Sequence, residues 1–295
     1  TVLLRGPSLT NTMDTMMLVF PPTADWGMRA VMALQTVAAY STFASEKSGT
    51  TEGNGFGGYS KFYKPQEKGT ITVPSRVGMA IIYLPACLFS LWSLFSPSTL
   101  SQPESPNMPL VQGLVAFHFG KRCLEVLLLH KYSGNTDLIT SFGIGTVYTI
   151  NAWFIMWAHS KVPPEAAASS VLLTPGLVLS AVGQVGNLYH HILLARLRKS
   201  PAPRSGAAGD KASDKGREYV MPTGGMFGLV AAPHYLFELI TWLGMAMVVQ
   251  HAGAFTLFAQ MTGYLGGRAK RQLEWNQSKF PNYPTSTRAL VPGLF

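Results

Sequence analysis

The sequence predicts an all-α membrane protein, a multi-pass bundle of about seven transmembrane helices. Of its 295 residues, 47% are hydrophobic and only 13% are charged, whereas a soluble domain usually carries about 25% charged residues. Seven apolar stretches recur along the chain, and most reach the roughly 20 residues that a helix needs to cross a hydrocarbon core. The alternative, a soluble helical bundle, is disfavoured by the length of these stretches.

The predicted spans end at polar or charged loops. The seventh is short, so we expect it to tilt or to stop at the membrane interface. Two loops rich in Gly, Ser, Pro and Lys, at 46–69 and 200–217, are predicted to be extended linkers. The spans are 26–43, 72–95, 109–130, 138–159, 170–194, 226–249 and 252–267.

Basic residues are distributed unequally between the two predicted sides of the membrane. One side holds only Arg5 and Lys161, while the loops of the other hold most of the remaining Lys and Arg residues. Such a bias follows the positive-inside rule and predicts that segments 196–217 and 268–295 lie on one face. The basic residues behind the net charge of +9 therefore line one membrane face, where lipid or nucleotide phosphates could meet them. We expect no nucleic-acid partner.

The two cysteines, Cys87 and Cys123, both fall inside apolar stretches. We therefore expect them to be unpaired, small buried side chains. No Cys/His spacing typical of a metal site occurs, so no metal is predicted. The Ser- and Thr-containing start of the chain, with Arg5, is typical of what remains after removal of a targeting peptide.

The segment PTGGMFGLVAAPHYLFELITWLG, residues 222–244, combines an apolar run with ionisable side chains. His234 and Glu238 are four residues apart and share a face if the segment is helical. Because a carboxylate in so apolar a segment costs several kcal/mol, roughly 3, we expect Glu238 to be buried and hydrogen-bonded to a helix partner or to Tyr219.

Four patches of the chain carry a resemblance to a known family. They resemble the steroid 5α-reductases and trans-2-enoyl-CoA reductases, membrane enzymes that reduce a C=C bond with NADPH. The resemblance implies a seven-helix fold with NADPH among the helices near the basic side, a lipid-like substrate entering from the bilayer, and two domains, 1–56 and 57–295. The patches are GGYSKFYKP (57–65), FHFGKRCLEVLLLHKYSG (117–134), GNLYHHILLARLRK (186–199) with YVMPTGGMF (219–227), and GRAKRQLEWNQSKFPNYPTSTRALVPGLF (267–295).

The resemblance also implies a set of cofactor-binding residues. Arginines suit phosphate oxygens, an amide suits the carboxamide or ribose, and a carboxylate suits ribose hydroxyls. The alternative for Arg122 is an ordinary structural pair with Glu125, three residues later on one helix face. The implied NADPH-binding residues are Asn187, Arg198, Tyr219, Glu238, Arg122 and Arg268.

Several residues differ from those that the resemblance implies for catalysis. Ile82 and Tyr83 stand where the steroid branch has a Gln-Glu pair, and Phe119, after His118, stands where the family has its catalytic tyrosine. Phenylalanine has no ionisable group and cannot donate a proton to the substrate carbonyl. These two replacements predict impaired catalysis.

Further replacements fall at other contacts that the resemblance implies. His191 takes the place of an aspartate, Leu273 that of a histidine, and Asn276 that of a tyrosine, while His234 occupies an asparagine position. A rewired site would need another proton donor, and histidine titrates in the useful pH range. The candidate donors are Tyr83, His118 and His234.

Two functional hypotheses follow, and a receptor or channel is a third class. One is a structural or accessory subunit with impaired catalysis, which predicts other membrane subunits and lipids as partners and the mitochondrial inner membrane as its location. The other is an active NADPH-dependent reductase of enoyl-CoA, 3-oxo-steroid or lipid substrates, which predicts the endoplasmic reticulum.

Overall fold

The computed structural model of the chain describes residues 18–21, 25–48, 71–96, 105–132, 134–168, 170–197 and 220–295. The described part is mostly helical, as the composition predicts. Two short strands, β1 (Thr72–Pro74) and β2 (Asn135–Asp137), accompany the helices. The helices are α1 (Trp26–Ser48), α2 (Ser75–Phe95), α3 (Met108–Leu124), α4 (Leu138–His159), α5 (Pro164–Ala168), α6 (Leu173–Leu197), α7 (Pro233–Val249) and α8 (Ala252–Lys279).

Among the described residues, three helices are long and apolar enough to cross a membrane, namely α2, α4 and α6. They match three of the predicted spans, and α7 is apolar but has only 17 residues. The prediction of about seven spans is therefore not confirmed as a number, and the other four crossings stay predictions. The short strands pair antiparallel, with Thr72 opposite Asp137, and join the start of α2 to the start of α4.

The sixth predicted span begins later than the sequence indicates. The prediction starts it at residue 226, but the structure has turns there and begins α7 at Pro233. Gly224 and Gly225 have φ values of 84° and 52°, a left-handed conformation that glycine adopts without strain. Proline in the first helical turn then fixes where the helix begins, because its missing N–H needs no partner there.

The seventh predicted span is part of a longer helix. The prediction ends it at residue 267, whereas α8 has 28 residues and continues to Lys279. Its second half is rich in Arg, Lys, Gln and Glu, which are good helix formers although they are not apolar. Likewise α1 extends to Ser48, into the predicted 46–69 loop. The rest of that loop and the predicted 200–217 linker lie outside the described residues.

The helices pack as neighbouring pairs, with α1 against α8, α2 against both α3 and α4, and α6 against α7. Glycines allow the α6–α7 contact, because a Cβ on Gly183 would lie 2.4 Å from the Thr241 nitrogen. A Cβ on Gly244 would lie equally close to the Ser180 nitrogen. Small residues at such contacts are typical of helices in membranes.

The two cysteines are not cross-linked, and Cys123 is less buried than the sequence predicts. Cys87 is buried in α2, and Cys123 is half-buried in α3. They therefore contribute to packing within the bundle rather than to a covalent cross-link.

Candidate functional site

A cluster of ionisable side chains forms around the end of α3. Lys121, Arg122 and Glu125 lie within four residues, so one helix turn brings them together. The Glu125 oxygens accept from Lys121 Nζ at 2.9 Å and from Arg122 Nη1 at 2.6 Å. Only 3% of the Glu125 side chain is exposed, and a carboxylate at that depth needs such partners.

The α3 helix changes its hydrogen-bonding pattern at this carboxylate. Residues Glu125–Leu129 form a π-helical turn, which the His130 backbone N–H closes with a 2.8 Å hydrogen bond to the Glu125 carbonyl. Single π-helical turns are frequent at functional sites. The wider turn places the Glu125 side chain at the junction of α3 and α6.

His191 on α6 is the third partner of Glu125. Its Nδ1 atom lies 3.1 Å from Glu125 Oε2 and 3.2 Å from Arg122 Nη1. The tautomer that carries a proton on Nδ1 donates to the carboxylate, and the other tautomer accepts from the guanidinium. The histidine that replaces the expected aspartate is thus held in either neutral form.

Asn187 connects the cluster to α7. Its Oδ1 atom accepts from Lys121 Nζ at 2.5 Å, and its Nδ2 atom donates to the His234 backbone carbonyl at 2.9 Å. Both ends of this buried amide are therefore used within the protein. The His234 ring lies 5.4 Å from that of His191 and 4.2 Å from that of Tyr235.

Glu238 on α7 is partly buried, and a histidine of another helix lies beside it. Its Oε1 atom lies 3.3 Å from His118 Nε2 on α3, and 12% of the glutamate side chain is exposed. Gln184 Nε2 lies 3.1 Å from the other nitrogen of His118. His118 thus bridges α6 and α7 from a position inside the bundle.

Tyr83 and Phe119 occupy the positions where the resemblance implies a glutamate and the catalytic tyrosine. Arg122 Nη2 donates to the Tyr83 hydroxyl at 2.7 Å, and the Tyr83 ring stacks on Tyr148 with centroids 5.6 Å apart. Phe119 is 1% exposed and packs against Tyr148 and Trp242, at 5.9 and 6.5 Å between centroids. An aromatic core therefore fills the space around Phe119.

Arg268 lies beside the same cluster on α8. It is 3% exposed, its Nε atom donates to the Tyr235 hydroxyl at 3.4 Å, and its Cζ atom lies 5.8 Å from the Tyr264 ring centroid. Because Tyr235 follows His234, Arg268 reaches the cluster through α7. Arg198 and Tyr219, two further predicted cofactor ligands, lie outside the described residues.

A second polar contact joins α8 to the C-terminal segment. Asn276, which replaces the expected tyrosine, accepts from Gln272 at 2.6 Å and donates to the Tyr283 hydroxyl at 3.1 Å. Burial raises the pKa of Tyr283, although hydrogen bonds with Asn276 and Thr287 oppose the shift. Leu273, at the expected histidine position, is buried and packs into the apolar core instead.

Three side chains in the cluster have the right atoms for a metal ion. Ligand atoms of Glu125, His130 and His191 lie within 4.8 Å of one another. However, Arg122 Nη1 lies 2.6 Å from the glutamate and 3.2 Å from His191. The guanidinium therefore supplies the positive charge that a metal ion would supply, and the geometry favours an ion-pair cluster.

The residues fit a nicotinamide cofactor in part. The Glu238 carboxylate and the Asn187 amide are chemically suited to ribose and carboxamide groups. Two buried donors, Trp242 Nε1 and Arg122 Nε, have no hydrogen-bond partner among the described residues. Against this, Lys121 and Arg122 already have the Glu125 carboxylate in direct contact, so a phosphate would have to compete with it for these two cations.

The cluster contains residues that the sequence-based site did not include. Lys121 and Gln184 belong to it, and Glu125 pairs with Arg122 as the structural alternative to cofactor binding predicts. A signal existed, because three ionisable residues within four positions of an apolar span are costly unless they meet inside a bundle. Nothing in the sequence alone indicates that His191 joins them.

Comparison with known proteins identifies the family. Residues 138–295 match the model of the 3-oxo-5-alpha-steroid 4-dehydrogenase family, which is more than half of the chain, so the chain belongs to this family. It is 29% identical to rat 3-oxo-5-alpha-steroid 4-dehydrogenase 1 over 78% of this chain and 83% of the relative. It is also 27% identical to the probable very-long-chain enoyl-CoA reductase art-1 of Caenorhabditis elegans, over 68% of this chain and 63% of that relative.

Family membership agrees with the membrane character of the helices. The chain is an integral membrane protein with a reductase-like fold, and the recognition of the steroid and enoyl-CoA reductases from its motifs is confirmed. The residues that differ from the family pattern are those named in the sequence analysis, and the comparisons do not test them. Their consequence for catalysis is a proposal.

Proposed function

We propose that this chain is a family member with impaired catalysis that acts as a structural or accessory subunit of a larger membrane complex. The observation that carries the proposal is the packing of Phe119. It has no hydroxyl, and it is 1% exposed within an aromatic core at the position implied for the catalytic tyrosine. Removing one electrostatic contribution to a transition state typically costs about 10²–10³-fold in rate.

The polar groups around Phe119 support the same proposal. Asn187 is bonded at both ends inside the bundle, and Glu238 lies beside His118. The cations of α3 are neutralised by carboxylates rather than kept for a ligand. A network of this kind holds α3, α6 and α7 together, which is the role of a scaffold.

The proposal also includes a topology of seven spans and a division of the chain into residues 1–56 and 57–295. It places the protein in the mitochondrial inner membrane. An assembly subunit would present its lipid-facing helices to other membrane subunits. In addition to α2, α4 and α6, the helices α1, α3, α7 and α8 would then be the other four spans. The basic segments at 196–217 and 268–295 would share one face.

One observation favours the second candidate, an active NADPH-dependent reductase. The Tyr83 hydroxyl oxygen accepts from Arg122 at 2.7 Å, so one hydroxyl group is present at the replaced positions and lies beside a cation. Bound NADPH would supply the hydride. The described residues that would hold it are Asn187, Glu238, Arg122 and Arg268. Tyr83 would then place a proton donor across the pocket from Phe119.

An enzyme assay distinguishes the subunit with impaired catalysis from the active reductase. Purified protein is mixed with NADPH and either an enoyl-CoA or a 3-oxo-Δ4-steroid, and the loss of NADPH absorbance is followed at neutral pH. We expect no turnover, with rat 3-oxo-5-alpha-steroid 4-dehydrogenase 1 as the positive control. Turnover comparable to the control would reject impaired catalysis, and its loss in Tyr83→Phe would identify the rewired donor.

Extraction from native membranes tests the assembly separately. In a mild detergent, an accessory subunit migrates on a native gel with a mass well above that of its 32.0 kDa chain. Migration as a monomer in its detergent micelle would contradict the subunit role, whatever the enzyme assay gives. Extraction from separated mitochondrial and endoplasmic reticulum fractions shows which membrane holds the assembly and so tests the membrane assignment.

A further inference from the structure

An apolar cavity of about 550 Å³ lies on the side of α7 that faces away from the ionisable cluster. Leu236, Leu239, Ile240 and Leu243 line it from α7, at spacings of three and four residues that mark one helix face. At about 100° per residue, Glu238 points to the opposite side of the helix. The cavity is therefore separate from the candidate reductase site.

The other walls of the cavity are also apolar. Phe43 of α1, Phe258 of α8 and Val291 and Phe295 of the C-terminal segment contribute to them. A volume of this size is within the roughly 300–1,000 Å³ of ordinary small-molecule sites. The lining offers carbon surface to a ligand, and the one lining hydroxyl, Thr262, already donates to the Phe258 carbonyl at 2.8 Å.

Two glycines on α8 form the wall of the cavity nearest the basic end of that helix. A Cβ on Gly263 would meet the Ala39 carbonyl of α1, so the two helices touch there. One turn later, a Cβ on Gly266 would lie at ordinary contact distance, 3.7 Å from Phe43 and 3.9 Å from Phe295. The gap beside Gly266 is therefore about one methyl group wide, and the rings of Phe43 and Phe295 line the cavity there.

A cation continues the glycine face of α8. Lys270 is four residues after Gly266 and seven after Gly263, and positions with these spacings share a helix face. Its Nζ atom lies 3.7 Å from Glu274, and both side chains are exposed at 36% and 52%. An exposed pair of this kind contributes little, so Lys270 keeps its attraction for an anion at the membrane surface.

We propose that this cavity binds one acyl chain of an anionic phospholipid, whose phosphate headgroup lies at Lys270. Apolar walls exclude a polar ligand, and a membrane protein is surrounded by acyl chains. The cation one turn beyond the cavity matches the place where a lipid phosphate meets the basic face. Each Lys near the membrane surface favours anionic lipid by about fivefold in affinity.

Native mass spectrometry of the full chain tests the proposal. The protein is purified in detergent and exposed to an equal mixture of phosphatidylglycerol and phosphatidylcholine, and the retained lipids are counted. The wild type is expected to retain one phosphatidylglycerol, with about fivefold preference over phosphatidylcholine. Lys270→Gln is expected to abolish the preference, whereas Lys161→Gln, beyond the far end of α4, keeps it.

A second pair of variants tests the cavity itself. Gly266→Leu fills the space beside Phe43 and is expected to lower the retained lipid at least fivefold. Gly113→Leu is the matched control, because a Cβ on this α3 glycine meets nothing within 4 Å. If Gly266→Leu does not fold, Ile240→Trp fills the same cavity from α7.

Three results would overturn the proposal. The first is a folded Gly266→Leu or Ile240→Trp protein, with the wild-type melting temperature, that retains wild-type lipid. The second is equal retention of both phospholipids by the wild type. The third is a wild-type dimer without lipid, since a second copy of the chain would then cover the cavity. None of these results depends on reductase activity.

Discussion

The Glu125 carboxylate is the shared counterion of the ionisable cluster. Its oxygens contact nitrogens of Lys121 and Arg122 on the same helical segment and of His191 on α6. Each nitrogen–oxygen distance is at most 3.1 Å. Two buried cations therefore depend on one carboxylate for direct contact. Desolvation makes an unpaired buried charge costly, so a change at this residue should affect the whole cluster.

Replacing Glu125 by glutamine is expected to destabilise the protein by about 3 kcal/mol, because it leaves two buried cations without their carboxylate. The measurement is the free energy of unfolding in detergent, followed by tryptophan fluorescence. Glu274→Gln is the matched control, since that carboxylate is 52% exposed and lies 3.7 Å from Lys270. Its loss should change stability by less than about 1 kcal/mol, and equal losses in the two variants would contradict the counterion role.

At the scale of helices, the sequence predicts positions better than boundaries. The apolar runs of α2, α4 and α6 have the composition and length of spans, so their existence follows from hydropathy alone. The end of α8 does not, because the polar residues up to Lys279 resemble a loop by hydropathy although they favour helix. The start of α7 was also missed, since an apolar run continues across the turns before Pro233.

The candidate site was predictable only in part. Glu238 is identified by its cost in an apolar helix, and its burial follows from that cost. Its partner does not follow, because the contact with His118 depends on how α3 packs against α7. In the same way, the contact of Tyr83 with Arg122 joins α2 to α3 across 39 positions of the sequence, a distance over which periodicity gives no information.

The α6–α7 contact gives a prediction at this scale. Gly183→Ala is expected to destabilise the protein by about 1–3 kcal/mol, because the added methyl group would meet the Thr241 backbone at 2.4 Å. Thermal unfolding in detergent measures the change. Gly113→Ala is the control, since its methyl group meets open space and helix propensity favours alanine by about 1 kcal/mol. A Gly183→Ala protein as stable as this control would show that the helices separate freely.

At the scale of the whole molecule, the segment at residues 18–21 is joined to the turn between α7 and α8. The Phe20 N–H donates to the Gln250 carbonyl at 2.7 Å, and the Ala252 N–H donates to the Phe20 carbonyl at 2.8 Å. His251, between these two residues, is fully buried and accepts from the Gly253 N–H at 3.0 Å. The imidazole therefore caps α8 while the backbone on either side of it holds the segment.

Burial lowers the pKa of His251 from 6.5 to about 4, while the Pro21 carbonyl opposes the shift and His159 and Lys161 add to it. Between pH 6.5 and 4 the unfolded chain binds a proton at this residue that the folded chain does not bind. Stability should therefore fall as the pH is lowered through this range, and the contribution of His251 is complete above about pH 6.5.

His251→Asn removes the titration and keeps a side chain that caps helices well. Relative to this variant, the wild type is expected to lose up to about 3 kcal/mol of stability between pH 7 and pH 4, since one pKa unit corresponds to about 1.4 kcal/mol. Unfolding is measured in detergent at several pH values, and the difference between the two proteins isolates His251 from the other histidines. Lys161→Gln is a second control. It removes one nearby positive charge, so the pKa of His251 in the folded protein should rise slightly. The loss of stability between pH 7 and pH 4 should then be smaller. Parallel pH profiles for the wild type and His251→Asn would show that the folded protein protonates this imidazole as readily as the unfolded chain.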